Sequence, residues 1–339
     1  MAGYIARRLA LLLLIVFSVT VVTFVLSHLV PGDPARLAAG ITADEAQVEA
    51  IREERGLDRP IADQYWLYVK QLAHLDFGES IVTRQPVRRE LGDRLTATLE
   101  LIIVSFVAYL VIAVLIAVIS ATTRRRGVDV GVRGFAISAY AIPPFVLAFW
   151  LQLVVYFRLG WLPAGGRLEI QTAPPPKVTG FYLIDSLLAG QPQVFMEAVE
   201  HIILPAAALT LGLIAIAVRL IRTTLLDEFD KDYVKVLRLK GLSERRIVWR
   251  HVLRNSMVPV LAVFGIQFGY LLSGAVLVEV IFSWPGLGTY AYNSILALDY
   301  PPVLGVAIVT TAIFVLANLL VDLLYPVVDP RIRLWGQRA

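Results

Sequence analysis

Six apolar stretches, each about as long as a helix that crosses a bilayer, constrain most strongly how this chain can fold. A membrane-spanning helix needs ~20 consecutive, mostly apolar residues. The six stretches cover approximately residues 8–30, 96–120, 133–157, 201–222, 257–281 and 302–325. Only 17% of the 339 residues are charged, whereas about a quarter are charged in an average soluble protein. The sequence therefore predicts an all-α polytopic membrane protein with six transmembrane helices.

The first apolar stretch has two interpretations, because Arg7 and Arg8 precede it as basic residues precede the core of a secretory signal peptide. The apolar run is longer than such a core, and no small-x-small cleavage site closes it. The segment Pro31-Gly32-Asp33-Pro34 ends the run instead. We therefore interpret residues 1–30 as an N-terminal transmembrane helix.

Two longer polar regions separate the apolar stretches. Residues 31–95 contain two helical patterns, Ala43–Arg55 and Pro60–Leu75, and predict a small external subdomain. Residues 158–200 are rich in proline and glycine and predict a long external loop. Within the third apolar stretch, Pro143-Pro144 predicts a kinked helix.

Positive charge is distributed unevenly between the loops, and this asymmetry predicts the orientation in the membrane. If the N-terminus lies inside, the inner segments hold 19 Lys and Arg against 8 acids, and the outer segments hold 12 against 19. The inner face then carries a net charge of +11 and the outer face −7. Because cytoplasmic loops carry the excess of Lys and Arg, we expect both termini, Arg124-Arg125-Arg126 and the segment 227–256 to be cytoplasmic.

The apolar stretches hold ionisable residues only near their ends. These residues include His28, Glu100, His201, Arg219, Glu279 and Asp322. A charge at the bilayer centre costs at least ~2.5–3.5 kcal/mol and is retained only for a purpose such as an ion relay. The absence of such a charge argues against a proton-driven secondary transporter, a channel with an acidic ring and an intramembrane hydrolase.

Other kinds of site chemistry also lack the residues they need. The chain has no cysteine, and its four histidines show no metal-ligand spacing. None of its lysines completes the phosphate-binding pattern G-x-x-x-x-G-K-[ST]. We therefore predict no catalytic, cofactor-binding or metal-binding residues and no nucleic-acid partner. If ATP drives this protein, another chain hydrolyses it.

Uncharged polar residues do occur deep within the apolar stretches. They include Ser138, Gln152, Gln267, Ser273, Thr310, Thr311 and Asn318. Hydrogen bonding between helices explains such residues. Lining of a translocation path is the alternative, and its candidates are Gln267, Ser273, Thr310 and Asn318. Small residues recur along the fifth stretch and predict the close approach of another helix. They are Gly265, Gly269, Gly274 and Ala275.

The segment Asp227–Pro259 is the only long, strongly charged stretch in the second half of the chain. Its first part, Asp227–Leu239, predicts a helix with acids in the first turn and bases in the last turn. Gly241 suits the left-handed position that follows a helix, and Ser243 can cap a second helix. The pattern predicts two short helices with an exposed turn between them.

Apolar residues fall on one face of each of these two helices. They are Phe229, Tyr233, Val236 and Leu237 on the first, and Ile247, Val248, Val252 and Leu253 on the second. A basic amphipathic stretch of this kind can bind anionic lipid headgroups. The acids and the Gly break favour instead a surface on which a partner protein docks.

Short motifs throughout the chain are those of one family of membrane proteins. Within the charged segment they are Asp232-Tyr233-Val234, Arg238-x-Lys240-Gly241-Leu242, His251-x-x-Arg254-Asn255 and Pro259. Elsewhere they are Tyr4-Ile5-x-Arg7-Arg8-Leu9, Pro31-Gly32-Asp33-Pro34, Gly56-Leu57-Asp58-x-Pro60, Asp76-Phe77-Gly78-x-Ser80, Pro86-Val87, Thr98-Leu99-Glu100-Leu101, Leu204-Pro205-Ala206, Glu279-x-Ile281-Phe282-x-x-Pro285-Gly286-x-Gly288, Asp299-x-Pro301 and Asp329-Pro330-Arg331. With these motifs the sequence resembles ABC-importer permeases, specifically the first permease subunit of the dipeptide, oligopeptide and nickel uptake family.

The resemblance implies a type I permease fold with a permease core over 96–339, in the cytoplasmic membrane of a prokaryote. It implies a heterodimer with a homologous permease, two ATPase subunits or one fused ATPase pair, and an extracytoplasmic binding protein that delivers a peptide. It also implies that part of the cytoplasmic loop 227–256 couples to the ATPases. The residues concerned are Tyr233, Arg238, Lys240, Gly241, Leu242, Ser243, Glu244, Arg245, Arg246 and His251.

Other functions stay open at this level. Within the family, the same machinery carries nickel chelates or other small ligands. A self-sufficient channel or secondary transporter and a membrane-embedded enzyme are alternatives from other classes. The sequence also departs from the family pattern. Val236, Leu237 and Leu239 stand where small alanines are usual, Leu75 replaces a glycine, and the loop 158–200 is long.

Overall fold

The computed structural model describes residues 2–29, 35–36, 43–54, 56–123, 127, 131, 134 and 142–328. Its helices are α1 (Ala2–Leu29), α2 (Glu45–Glu54), α3 (Ile61–Ala73), α4 (Val87–Thr122), α5 (Pro144–Leu151), α6 (Tyr182–Leu188), α7 (Pro192–Phe229), α8 (Asp232–Leu239), α9 (Glu244–Arg246), α10 (Leu253–Ile281), α11 (Leu287–Leu296) and α12 (Tyr300–Val328). Two π-helical segments, Gln152–Arg158 and Ile247–Val252, continue α5 and join α9 to α10.

Some of the sequence-based expectations fall outside the described residues. They concern Pro31-Gly32-Asp33-Pro34, Arg124-Arg125-Arg126, Ser138, Asp329-Pro330-Arg331 and the side chains of Arg7, Arg8, His28, Pro259 and Asp322.

Helices long and apolar enough to cross a membrane occupy four of the predicted spans. In the described part of the chain they are Val87–Thr122, Pro192–Phe229, Val263–Ile281 and Tyr300–Val321. The helical character of the second, fourth, fifth and sixth apolar stretches is thereby confirmed. Shorter apolar helices, Leu13–Val25 and Pro144–Arg158, lie in the first and third stretches. The protein is therefore a helical, multi-pass membrane protein.

The two prolines of the third apolar stretch stand at the start of a helix, and residues 135–141, on which the predicted kink depends, lie outside the described residues. Pro144 is the first residue of α5, and Pro143 precedes it in an extended conformation. Proline is well tolerated there, because the first N–H groups of a helix have no partner within it. A Cβ added to Gly212 of α7 would lie 2.8 Å from Cγ of Pro144, so a glycine is needed where α7 passes the start of α5.

The chain forms two compact units. Unit 1 comprises Met1–Tyr4, Thr96–Thr289 and Phe314–Ala339, and unit 2 comprises Ile5–Leu95 and Tyr290–Ile313. The core of unit 1 contains a buried apolar cluster to which α4, α7, α8 and the start of α10 contribute. Its members include Tyr109, Ile221, Val234, Ile247 and Phe264. The charged segment after α7 is therefore built onto the same core as the membrane helices.

A buried carboxylate organises the turn after α10, where one of the family motifs lies. Glu279 accepts hydrogen bonds from Oγ1 of Thr98 (2.6 Å) and from the backbone N–H groups of Gly288 (2.7 Å) and Thr289 (3.2 Å). A carboxylate at these N–H groups stabilises the first turn of α11. A Cβ at Gly286 would overlap with the Glu279 carboxylate, so the glycine of this motif makes room for the buried acid.

In unit 2, the helix α3 packs against α1 through hydroxyl and aromatic contacts. The hydroxyl groups of Tyr65 and Thr20 lie 2.9 Å apart, and those of Tyr68 and Thr23 are separated by the same distance. The ring of Phe24 contacts Tyr65 edge-on, with ring centroids 5.2 Å apart. Pairing these polar groups inside an apolar contact fixes α3 against α1.

Two further family motifs of unit 2 meet although they lie far apart in the sequence. The carboxylate of Asp299 accepts a 2.5 Å hydrogen bond from Oγ of Ser80 and bonds from the N–H groups of Ile81 (3.0 Å) and Val82 (3.4 Å). Ser80 and Asp299 are both buried. The acid therefore holds the turn that follows Ser80.

Leu75, which stands where the family has glycine, adopts a positive φ of 58°. It is the first residue beyond the cap of α3. Its N–H donates to Leu72 (2.9 Å), and the N–H of Asp76 donates to Gln71 (3.0 Å). These two bonds form the Schellman motif, which normally places glycine at the left-handed position. The leucine is therefore strained at this point.

Candidate functional site

The charged segment after α7 folds into two helices, but the first is shorter than its sequence predicts. The expected helix Asp227–Leu239 is wrong in one respect, because α7 continues to Phe229 and α8 begins at Asp232. The break falls at Lys231, which has an extended backbone with ψ of 147°. The first three residues of the predicted helix therefore end a membrane helix instead of beginning a separate one.

Glu228 anchors the start of α8, a role that periodicity alone did not indicate. This acid is buried at the end of α7 and forms an ion pair with Lys231. It also accepts a 2.8 Å hydrogen bond from the hydroxyl of Tyr233. Burial, together with the neighbouring Glu228 carboxylate, raises the pKa of Tyr233 to about 12. Tyr233 therefore stays protonated and keeps donating to Glu228.

The buried face of α8 differs from the predicted one by one residue. Val234 is completely buried, whereas Val236, which we expected on the buried face, is 47% exposed. Successive residues of a helix are rotated by about 100° about its axis, so Val236 lies on nearly the opposite face from Val234. Tyr233 and Leu237 pack against the core as predicted. In the following segment, the predicted apolar residues Ile247, Val248 and Val252 are buried as well, and Leu253 packs beside them.

Gly241 forms the turn between the two helices in the predicted left-handed conformation, with φ of 75°. Its N–H donates to Arg238 (2.9 Å), and the N–H of Leu242 donates to Leu237 (3.2 Å). Both bonds of a Schellman motif are therefore present. A Cβ at Gly241 would meet no other atom within 4 Å, so backbone conformation and not crowding requires glycine here.

A salt bridge crosses this turn. Nε and Nη2 of Arg238 donate to the two carboxylate oxygens of Glu244 at 2.7 and 3.3 Å. Hydrogen bonding to Glu244 raises the pKa of Arg238. Because both side chains are partly exposed, solvent screening limits the contribution of the pair to stability. Ser243 occupies the predicted cap position of α9, but its side chain forms no capping hydrogen bond.

The turn and its flanks form an exposed, mainly basic projection, which we call the knuckle (residues 238–246). Lys240, Arg245 and Arg246 are exposed, and Leu239 is 87% exposed at its edge. Of the other predicted coupling residues, Tyr233, Leu242 and His251 are half-buried. A cavity of about 730 Å³ lies beside the knuckle. The knuckle thus combines a rigid backbone, positive charge and an apolar side chain that nothing in the described chain covers.

The polar residues proposed to line a path occupy different environments. Gln267 is buried among the helices of unit 1, and its Nε2 has no hydrogen-bond partner among the described residues. Ser273 is exposed, and Asn318 is half-buried. The hydroxyl of Thr310 donates to the carbonyl of Val306 in its own helix. In this conformation Gln267 therefore does not reach the surface of the protomer.

The small residues of α10 permit close packing, as predicted. A Cβ at Gly265 would lie 3.2 Å from Val321 of α12, and one at Gly269 would overlap with the Phe314 ring. Within the described ranges, no group of three His, Asp or Glu residues comes together.

The sequence of this chain matches a known family of membrane proteins. Residues 113–334 match the family described as "Binding-protein-dependent transport system inner membrane component", and residues 1–102 match its N-terminal region. The chain is 45% identical to the "Probable D,D-dipeptide transport system permease protein DdpB" of Escherichia coli K12, covering 95% of this chain and 94% of the relative. It is 41% identical to the "Di/tripeptide transport system permease protein DppB" of Pseudomonas aeruginosa, covering 98% and 99%.

A third relative is named for a different solute. It is the "Glutathione transport system permease protein GsiC" of Shigella flexneri, which is 35% identical over 98% of this chain and 99% of its own length.

Proposed function

This chain belongs to the family of binding-protein-dependent transport system inner membrane components, and we propose that it forms half of the path by which an ATP-driven importer moves peptides into a prokaryotic cell. The observation that carries the substrate class is its similarity, over nearly its full length, to permeases named for dipeptides and tripeptides. Substrate choice would rest mainly with a separate binding protein, which is consistent with the lack of a charged site at mid-membrane in the sequence.

In this proposal the chain crosses the cytoplasmic membrane six times, with both termini and the knuckle inside. The four span-length helices and the two shorter apolar helices support that count. The excess of Lys and Arg on the inner segments supports the orientation. Reporter fusions at residues 70 and 180 are expected to read outside, and those at 128 and 240 inside. A reversal at any of the four positions would contradict the six-span arrangement.

The knuckle is the proposed contact with the ATPase. The chain itself would not hydrolyse ATP; two ATPase subunits, or one fused pair, would do so and receive the knuckle in a groove. A homologous second permease would complete the path. The exposed cations Lys240, Arg245 and Arg246 would meet the partner directly, while the Gly241 turn and the Arg238–Glu244 pair hold the knuckle in shape.

The test is reconstitution in liposomes with the second permease, the ATPases and the binding protein. We expect ATP-dependent uptake of dipeptides and stimulation of ATP hydrolysis by the binding protein. Gly241→Trp, or reversal of Arg245 and Arg246 to Glu, should leave membrane insertion intact and abolish that stimulation. The matched control reverses the exposed residues Arg250 and Arg254, which lie outside the knuckle, and should retain most of it.

Three outcomes would count against parts of this proposal. Normal stimulation with the altered knuckle would remove its role in docking. Uptake without any ATPase would indicate a self-sufficient channel or secondary transporter. ATP-dependent uptake of nickel chelates or glutathione in place of dipeptides would support the ATP-driven importer and contradict the proposed peptide substrate.

A further inference from the structure

The long segment between α5 and α7 is bonded tightly to the membrane helices of unit 1. Nε2 of Gln152, in the π-helical extension of α5, donates to the carbonyl of Ala164 (2.9 Å). Nδ1 of His201, near the start of α7, donates to the carbonyl of Gly165 (2.8 Å). Two consecutive residues of this segment are therefore fastened to two different helices.

The next two residues of the segment reach two further helices. The N–H of Gly166 donates to the carbonyl of Phe282, directly after α10 (2.8 Å). Arg167 forms an ion pair with Glu100 of α4. A Cβ at Gly165 would overlap with the backbone of Phe282, so the two backbones lie in direct contact. Residues 164–167 thus contact α4 at Glu100, the extension of α5, the first third of α7 and the residue after α10.

Arg167 also closes the segment on itself. Its guanidinium donates to the carbonyl of Gly180 (2.9 Å) and lies 3.4 Å from the centre of the Tyr182 ring. Glu100 in turn accepts a 2.8 Å hydrogen bond from the N–H of Leu183. Arg167 and Glu100 are 7% and 3% exposed. One buried pair therefore holds both ends of the segment 164–183.

A buried ion pair of this kind serves position more than stability. Replacing both partners with apolar residues of similar volume is often neutral for stability, because desolvation offsets the attraction between the charges. The directed hydrogen bonds, however, define one arrangement of the chain. The fastened ends of α7 and α10 are also the ends opposite the knuckle, since α7 leads into α8 and α10 follows α9.

From these contacts we propose that residues 164–183 form a strap that makes α4, α5, α7 and α10 move as one block. Arg167 and Glu100 are its positioning residues. A displacement of the knuckle by an ATPase is then transmitted along α7 and α10 to their far ends without being lost in sliding between helices. The inference rests on the proposed transport function and assigns a role to the loop 158–200.

The test separates coupling from folding. The double variant Glu100→Leu/Arg167→Met removes both charges while keeping an apolar filling. In the reconstituted importer we expect binding-protein-stimulated ATP hydrolysis within about twofold of the parent and peptide uptake per ATP lowered at least about tenfold. The matched controls are Arg158→Met and Glu200→Gln, which alter exposed residues near the strap and should leave uptake per ATP unchanged.

A second measurement follows the strap directly and does not depend on transport. Because the chain contains no cysteine, a single cysteine in place of the fully exposed Ile170 can carry a spin label. We expect the label to be less mobile in the parent than in the double variant, because the contacts of Arg167 and Glu100 hold the backbone of the segment in the parent. Should the double variant not accumulate in the membrane, Glu100→Gln, which keeps the shape of the side chain, is measured in the same way.

The outcomes distinguish this inference from the proposed function. If the parent protein shows no ATP-dependent uptake with its partners, the proposed function fails, and an unchanged label mobility would then overturn the strap as well. If the parent transports peptides and the double variant takes up as much peptide per ATP, the strap is overturned while the proposed function stands. A fall in uptake per ATP together with a label that is more mobile than in the parent supports the strap.

Discussion

Leu75→Gly is expected to stabilise the end of α3 relative to Leu75→Ala, because glycine relieves a backbone strain that alanine keeps. In the structure Leu75 has φ of 58° and completes the Schellman motif at the end of α3. Its side chain is 53% exposed, so its removal also loses the contacts of the buried part. Both Leu75→Gly and Leu75→Ala lose those contacts, and the difference between the two variants therefore reports the strain of the backbone.

The expected magnitude is a balance of two backbone effects. A non-glycine residue in the left-handed region costs about 1–2 kcal/mol, and glycine relieves that cost. Glycine also increases the conformational entropy of the unfolded chain, which costs about 0.5–1 kcal/mol. Leu75→Gly should therefore be more stable than Leu75→Ala by about 0.5–1 kcal/mol. By the same reasoning Gly241→Ala, at φ of 75° with open space around its Cβ, should lose a similar amount.

Hydrogen–deuterium exchange can detect this change because the effect is local. The amides of residue 75 and Asp76 donate the two bonds of the motif, and their exchange in Leu75→Gly should be about two- to fivefold slower than in Leu75→Ala, given that 1.4 kcal/mol corresponds to a factor of ten. Leu75→Ala is the control, since it shortens the side chain but keeps the strain. Equal exchange in the two variants, or faster exchange in Leu75→Gly than in Leu75→Ala, would refute the argument from φ.

Two further changes test packing and electrostatics. Gly212→Ala should lower the free energy of unfolding by about 1–3 kcal/mol, because its Cβ would lie 2.8 Å from the rigid ring of Pro144. Gly92→Ala is the control, because a Cβ there meets no atom within 4 Å. It should be neutral or raise the free energy of unfolding by up to about 1 kcal/mol, and thermal unfolding measures both changes. Burial raises the pKa of Asp185, but hydrogen bonds from Thr179 and its neighbours outweigh burial and hold the pKa below the ordinary 3.8. Because the folded-state pKa is the lower one, the stabilisation is complete well above the ordinary pKa of 3.8 and is lost as the pH falls below 3.8 and through the folded-state pKa. Opening of α6 should become more frequent in that range, and Asp185→Asn should remove this pH dependence while weakening α6 at neutral pH.

Local signals in the sequence predicted much of the loop between α7 and α10. Gly241 predicted a left-handed turn because glycine adopts a positive φ without steric cost, and the structure has that turn. The extent of the first helix was wrong because Glu228, buried at the end of α7, holds Lys231 and Tyr233 and sets the break between them. The role of Glu228 depends on its burial by the core of unit 1. The spacing of apolar residues within the eight residues of α8 carries no information about that burial.

Membrane spanning and charge asymmetry were properties of the sequence by itself, because each depends only on which residues occur and how long the apolar runs are. Tertiary structure alone decided which distant polar residues meet. Ser80 and Asp299 are 219 residues apart, and Glu100 and Arg167 are 67 apart, yet each pair is buried and bonded. Such pairs form only where packed helices exclude water and bring two specific side chains together. The sequence predicted the loop 158–200 only as a long external connection, whereas in the structure the Glu100–Arg167 pair holds it in place.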